Sequence, residues 1–471
     1  MENAMNDELT ALERNQTWEI VDLPKGTKAI GSKWVYKVKL KPDGSIDRYK
    51  ARLVAKGYNQ VEGVDYFDRF SPIAKAVTVR ILLALVAGSG WAIHQVDINN
   101  AFLHGLLEED IYMLPQDGSS VPTGKVCKLK RSLSILKQAS RQWNQELTAK
   151  LVAYGFSQSL HEHCVFIKHS VDGPLILLVY VDDVLITGAC DRQITDVKGF
   201  LDEAFTIKDV SPAKFYLGLE IARSAAGISV TQCKYVRDII QDVGLSSGRS
   251  SNAPFPPTKV HMDAALHLVR YLKGVPDRGL FFPNSNQFAL EAFYDADSAG
   301  CVDSKQSLTG YCVYLGDALI SWKTKKQSMV TRSTVEVEYH SLNTTVCRLQ
   351  WISYLLNGLH ISHQTHVQVY CDNQVAIHIV ANPYKAGFIM PMYVSSRTLL
   401  ADLFTKLLPA STFQPLLSKL GLVSPSQIQL EGGLLRIQGP SSISSRLRQS
   451  SQVLDPANLL TCDLRPHLPA T

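Results

Sequence analysis

No Cys-x-x-Cys pair occurs in this 471-residue chain, and its nine cysteines are scattered singly. That excludes a zinc-ribbon type of site and a disulfide framework, and it suits a reducing compartment. The apolar runs are short. Ile81–Val86 and Leu175–Val181 fall far below the roughly 20 residues a membrane helix needs, so no membrane partner is expected. The start, Met1-Glu-Asn-Ala-Met-Asn-Asp-Glu8, lacks the charged-then-apolar pattern of a secretory signal. The reading is therefore a soluble intracellular protein, in the cytoplasm, with the nucleus as the alternative. Histidines give no metal site: His360, His363 and His366, and the run His161-Glu-His-Cys164, lack a full ligand set and read as loop residues. No strong charge of either sign is present, the formal net charge being +5. At 45% hydrophobic and 19% charged residues, the chain reads as globular, with room for two or three domains.

What is present is unevenly placed. Ten Lys or Arg lie between Lys25 and Lys56, against only Asp43 and Asp47. Lys33–Leu40 alternates strictly, Pro42-Asp-Gly44 signals a turn, and Tyr49–Ala55 alternates again. This spacing predicts a β-hairpin with one basic face, either a surface for a polyanion or a solvated face. Helices are expected over Val77–Val86, Ser140–Tyr154 and Asp191–Phe205, and strands over Trp91–Ile98, Val165–Lys168, Tyr216–Ile221 and Ile228–Thr231. After a Pro-rich linker at 250–257 comes a short helix, Met262–Leu272. Three strands follow (Phe288–Tyr294, Thr309–Leu315, Ala318–Trp322), then the long helix Val335–Leu356, the strand Val367–Cys371 and the helix Gln374–Ala381. That order predicts a fourth strand beside a three-stranded meander. From Val423 onward the composition turns to Ser, Gln, Leu and Pro without periodicity, and 423–471 reads as a disordered tail.

Two sets of carboxylates stand out. Leu175-Ile-Leu-Leu-Val-Tyr-Val-Asp182-Asp183-Val-Leu-Ile-Thr187 places two charges inside an apolar run. Burying unpaired charge is prohibitive, so the chain must turn there. At a hairpin tip Asp182 and Asp183 can meet Asp97, which ends a neighbouring strand. Clustered hard oxygens call for magnesium or manganese, and paired ions of that kind support in-line phosphoryl transfer. The bland alternative is an Asp-Asp turn capped by backbone amides. In the later block Asp295, Glu336, Asp372 and Asp402 fall at element ends, Asp402 at an expected helix start. Single residues there usually act as caps, but four could meet at one sheet edge.

Tyr180-Val-Asp-Asp183, Gln95-Val-Asp-Ile-Asn-Asn-Ala-Phe-Leu-His-Gly105, Tyr49-Lys-Ala-Arg-Leu-Val-Ala-Lys-Gly57 and Leu136-Lys-Gln-Ala-Ser-Arg-Gln-Trp143 closely resemble the reverse transcriptase of copia-type LTR retrotransposons. Tyr294-Asp-Ala-Asp297, Ser333-Thr-Val-Glu-Val-Glu-Tyr339, Tyr370-Cys-Asp-Asn-Gln374 and Ala401-Asp-Leu-Phe-Thr-Lys406 resemble the RNase H that follows it. The resemblance covers about residues 1–422, in the family's order. It implies an α+β protein: a polymerase palm-and-fingers domain, 1–255; a shortened thumb and connection, 256–283; and an α/β RNase H-like domain, 284–422. Asp97, Asp182 and Asp183 would hold Mg2+ or Mn2+ for DNA synthesis from a DNA primer on an RNA template. Lys50 or Arg52 would meet the dNTP triphosphate, Phe102 would crowd the sugar 2′ position, and Gln138 would pack near the nucleotide. Asp295, Glu336, Asp372 and Asp402 would bind metal and cut the RNA of an RNA–DNA hybrid, with Asp297 and Glu338 as rivals to Asp295 and Glu336.

The sequence also departs from that family. Asn252-Ala-Pro-Phe-Pro-Pro-Thr-Lys-Val260 runs almost directly into His261, leaving out most of a thumb. A helix-sized stretch is missing near 383–387. The alternative to an active polymerase and nuclease is thus a catalytically inactive relic, or a nucleic-acid-binding module.

Overall fold

The computed structural model describes residues 2–40, 45–116, 121–246, 250, 261–285, 287–301, 303–380 and 387–424. The expected turn at Pro42–Gly44, the linker at 251–257, the gap at 383–386 and the chain beyond 424 lie outside these residues. Among them no helix is long and apolar enough to cross a membrane. The chain forms two compact units. The first comprises Met1–Leu82, Gly90–Tyr216 and Tyr354–Ile361, and the second comprises Leu83–Ser89, Leu217–Ser353 and Ser362–Thr471.

The first unit is built on a six-stranded antiparallel sheet. Its order is Ile207–Asp209, Ala92–Ile98, Asp183–Gly188, Gly173–Tyr180, Val165–Ser170 and Ser157–Gln158. Alternate residues Leu175, Leu177 and Val179, with Val184 and Ile186, form one apolar face. Two helices cover it. Ala139–Ala153 presents Trp143, Leu147 and Leu151, and Asp191–Phe205 presents Ile194, Val197, Leu201 and Phe205. Both spacings follow the helical period. Ile176, Leu178 and Leu185 are buried as well. Burial on both faces explains why these strands read as unbroken apolar runs.

A second core of the same unit joins the helix Glu2–Arg14 to the sheet Trp18–Asp22, Lys125–Arg131, Leu106–Met113 and to the base of the hairpin Ser32–Leu40/Ile46–Ala55. Lys37 pairs with Lys50, Val35 with Arg52, and Lys39 with Arg48. Partners in register project to the same side, so the basic face is formed as the alternation predicts.

The second unit carries a five-stranded sheet in the order Ala318–Lys326, Leu308–Leu315, Leu290–Asp297, Val367–Cys371, Ile389–Tyr393. The first two pairings are antiparallel and the last two parallel. The fourth strand therefore joins the meander where expected. Separately, Leu219–Ser224, Gly227–Thr231, Gly279–Pro283 and Leu422–Val423 are neighbours in one further sheet. Two expected boundaries shift accordingly. The 219–231 hairpin belongs to the second unit, although the resemblance implies one domain over 1–255. Val423 is a buried strand residue, not the start of a tail. The expected strand Tyr216–Ile221 is broken at Leu217-Gly218, where both residues take positive φ, 50° and 79°. Asp402 sits in a 3-10 turn, Leu400–Phe404, rather than at an α-helix start.

Candidate functional site

In the first unit the hairpin closes through a two-residue loop, Val181-Asp182, with Tyr180 opposite Asp183. Val181 has φ 57°, a left-handed conformation that a β-branched residue adopts only under constraint. The constraint is visible: the fully buried Trp143 donates its indole N–H to the Val181 carbonyl at 2.7 Å. On the other side, the Ile98 amide donates to the Asp182 carbonyl at 2.9 Å. The loop is thus clamped, and Asp183 stands opposite Asp97 in register.

Asp97 and Asp182 line one cleft with Lys50, Arg52, Phe102 and Lys208. Burial, then the neighbouring Asp182, raises the Asp97 pKa, against the pull of Lys208, Lys50 and Arg52. Asp183 does not line that cleft. It accepts a hydrogen bond from Gln95 Nε2 at 3.1 Å, and burial, with Asp182 and Asp97 close by, raises its pKa. Burial and the adjacent Arg52 lower the Lys50 pKa, partly offset by Glu8. Phe102 lies in a short turn, Ala101–His104, entered through Asn100 at φ 48°. Gly105 ends it, where a Cβ would sit 2.7 Å from the Trp143 amide nitrogen. That close approach seats the turn against the Trp143 helix.

Gln138 is placed differently from its expected role. It is fully buried and is not part of the cleft lining. Its Nε2 donates to the Asp65 carbonyl at 3.0 Å, and its Oε1 accepts from Gln60 at 3.1 Å. Both ends of the amide are engaged inside the protein, so it braces the 57–66 segment.

In the second unit, Leu290–Asp297 and Val367–Cys371 run parallel with Phe293 opposite Tyr370. Two residues further on, Asp295 and Asp372 emerge at the same sheet end. Glu338 reaches them from the helix that starts at Thr334. Carboxylate oxygens of Asp295, Glu338 and Asp372 lie within 4.8 Å of one another. Glu338 is 7% exposed, and its Oε2 has no hydrogen-bond partner. Burial, then Asp295 and Asp372, pushes its pKa up to about 8.

Glu336, the residue expected here, is exposed and outside the cluster. The reason is helix phase: two residues turn the side chain about 200° around the axis. Glu338 belongs to the buried stripe Glu338, Ser341, Leu342, Thr345, which the 3.6-residue period makes legible. Asp297, the rival of Asp295, also lies outside the triad.

Asp402 is beside the triad but is held by a cation. Lys406 Nζ donates to Asp402 Oδ1 at 2.7 Å and contacts Asp295 Oδ1 at 3.4 Å. Asp295 Oδ2 accepts from the Thr405 hydroxyl, and Asp372 Oδ2 from the Ser396 hydroxyl at 2.6 Å. Burial raises the Asp402 pKa to about 6, even with Lys406 lowering it. Sequence reasoning misses Lys406, Thr405, Lys208, Gln95 and Trp143 in these roles. For Lys406 the signal is its i,i+4 spacing from Asp402.

A family model described as reverse transcriptase (RNA-dependent DNA polymerase) matches residues 15–257. The chain is 34% identical to the retrovirus-related Pol polyprotein from transposon RE1 of Arabidopsis thaliana, covering 90% of this chain and 34% of that protein. It is 34% identical to that from transposon RE2 of the same plant, with 92% and 34% covered. It is 33% identical to that from transposon TNT 1-94 of Nicotiana tabacum, with 80% and 33% covered. The chain thus spans about a third of the length of these relatives. The RE1 match runs over 497 positions yet takes up only 90% of 471 residues, so that relative has stretches this chain lacks. With over half its length matched by the family model, the chain belongs to the reverse transcriptase (RNA-dependent DNA polymerase) family.

Proposed function

We propose that the first unit is an RNA-directed DNA polymerase centre and the second an RNase H-type nuclease centre, as in the Pol polyprotein of a copia-type retrotransposon. The observation that carries the first is the cleft in which Asp97 and Asp182 face Lys50 and Arg52. Carboxylates and cations lining one cleft suit a metal-bound nucleoside triphosphate. Magnesium or manganese, when bound, would neutralise the carboxylates and stabilise charge on the attacking and leaving oxygens. Asp97 and Asp182 would hold the ions, with Asp183 fixed behind them by Gln95. Lys50 and Arg52 would bind and orient the triphosphate of a dNTP against the primer 3′-hydroxyl, and Phe102 would limit space at its sugar.

In the second unit the fit to a divalent cation is supported by the buried, unpartnered Glu338 Oε2 among three carboxylates. Hard oxygen donors of this kind select magnesium or manganese. Asp295, Glu338 and Asp372 would hold one ion and Asp402 a second, with the RNA strand of an RNA–DNA hybrid as substrate.

Primer extension on poly(rA)/oligo(dT) with Mg2+ tests the polymerase reading. Product from the wild type and none from Asp182→Asn supports it. Equal product from both overturns it. A second reading, a nucleic-acid-binding relic, is favoured by the stretches that the longer relative has and this chain lacks. Salt-sensitive binding of a hybrid with no extension and no RNA cleavage would establish that reading instead.

A further inference from the structure

We propose that Lys406 is the built-in counter-ion of the second carboxylate cluster: its ammonium fills the second cation position at Asp402 and Asp295 until a second divalent ion displaces it toward Asp297. This rests on the reading of that cluster as a divalent-cation site.

The cluster is asymmetric. On one side Glu338 Oε2 is buried and unpartnered, and its carboxylate lies within 4.8 Å of those of Asp295 and Asp372. On the other side a cation is already present. Lys406 Nζ lies 2.7 Å from Asp402 Oδ1 and 3.4 Å from Asp295 Oδ1. A second divalent ion bound by Asp402 and Asp295 would share those two oxygens with an ammonium. Like charges at such a separation repel strongly in a partly buried site, so both cannot stay.

Lys406 also has somewhere to go. It lines a cleft with Asp297, Gly300 and Thr324. Asp297 is two residues beyond Asp295 on the same strand, and strand residues so spaced share a face. A lysine stem can move its ammonium from Asp402 to Asp297 without moving the backbone, as four rotatable bonds allow. Ion occupancy in this cluster is therefore sequential. The first ion binds without moving Lys406, and the second binds more weakly because it must evict a resident cation. By linkage, whatever favours the second ion favours the swung-out lysine equally.

The test is amine acetylation of the wild-type protein across a Mn2+ titration. Mass spectrometry reads labelling at Lys406, with the exposed Lys325 as internal reference, and paramagnetic resonance counts bound Mn2+. Comparison with Glu338→Gln isolates the ions that belong to this cluster. Labelling of Lys406 should stay low in chelator and through the first ion. It should rise severalfold as the second binds, while Lys325 stays constant. In Lys406→Met the second ion should bind about tenfold or more tightly than in the wild type. If Glu338→Gln binds as much Mn2+ as the wild type, the cation-site reading itself fails. If the cluster fills with two ions and Lys406 labelling stays flat, the counter-ion proposal alone is overturned. The labelling arm decides even if Lys406→Met does not fold.

Discussion

Glu336 and Glu338 are chemically identical and two residues apart, yet only one is buried against other carboxylates. Replacing each by Gln should therefore have different consequences. Glu338→Gln should abolish the rise in melting temperature that Mn2+ gives the second unit, whereas Glu336→Gln should leave that rise intact. Thermal melts in chelator and in Mn2+ measure this, and an equal effect of both substitutions would contradict the geometry. The same residue makes the metal-free protein sensitive to pH. The folded pKa of Glu338 is about 8 against an ordinary 4.5, so the folded state keeps a proton that the unfolded chain releases between those values. Stability in chelator should therefore fall as pH rises from about 4.5 to about 8, by up to about 1.4 kcal/mol per unit, then level off. Asp402, raised from 3.8 to about 6, adds to the fall in the lower part of that window. Denaturant midpoints at stepped pH read the slope, and Glu338→Gln should flatten it above pH 6.

At the scale of elements, the two sites depend on how strands and helices are fastened together. The Val181-Asp182 loop holds Val181 in a costly conformation, and the Trp143 indole supplies the side-chain half of its clamp. Trp143→Phe keeps most of the apolar packing but leaves the Val181 carbonyl unpaired. It should cost about 1–3 kcal/mol in urea unfolding, from the missing bond and the small cavity, and primer extension should fall with Asp182 still in place. A variant as stable as the wild type would show that the loop needs no such clamp. The elements that sequence periodicity reveals are those with one uninterrupted pattern. The hairpin Gly173–Gly188 is buried on both faces, and its charged tip marks its own turn. Leu106–Met113 escapes the same reading. Glu108, Glu109 and Asp110 break its apolar pattern, and its pairing with Lys125–Arg131 shifts register between Leu106 and Ile111, which removes the two-residue period. Leu422–Val423 is hidden for a different reason: it has two residues and no period, and its partner, Gly279–Leu280, is remote in sequence. The same limit applies to the sites. Strand-end aspartates are visible because they interrupt apolar runs, but the choice of Glu338 needs the helix phase and the Lys406 ion pairs need the fold.

For the whole molecule, the modest net charge of +5 conceals a concentrated face. Lys37, Lys39, Arg48, Lys50 and Arg52 project from one side of a single hairpin, and the last three also line the cleft with Asp97 and Asp182. Lys37 and Lys39 are exposed and are not among that cleft's lining. They separate grip on a polyanion from chemistry. If the face holds a template–primer duplex, each lysine that meets a phosphate releases a counter-ion on binding. Replacing both by Gln should then weaken binding of an RNA–DNA hybrid at low salt and reduce the slope of log K against log salt by about 0.7–0.9 for each phosphate no longer neutralised. Magnesium affinity at either carboxylate site should not change. Fluorescence anisotropy of a labelled hybrid at four salt concentrations gives the slope. An unchanged slope with unchanged affinity would assign the lysines to a solvated face. Weaker binding at constant slope would point to a disturbed hairpin rather than to phosphates left without a lysine, because counter-ion release responds only to the number of charges neutralised.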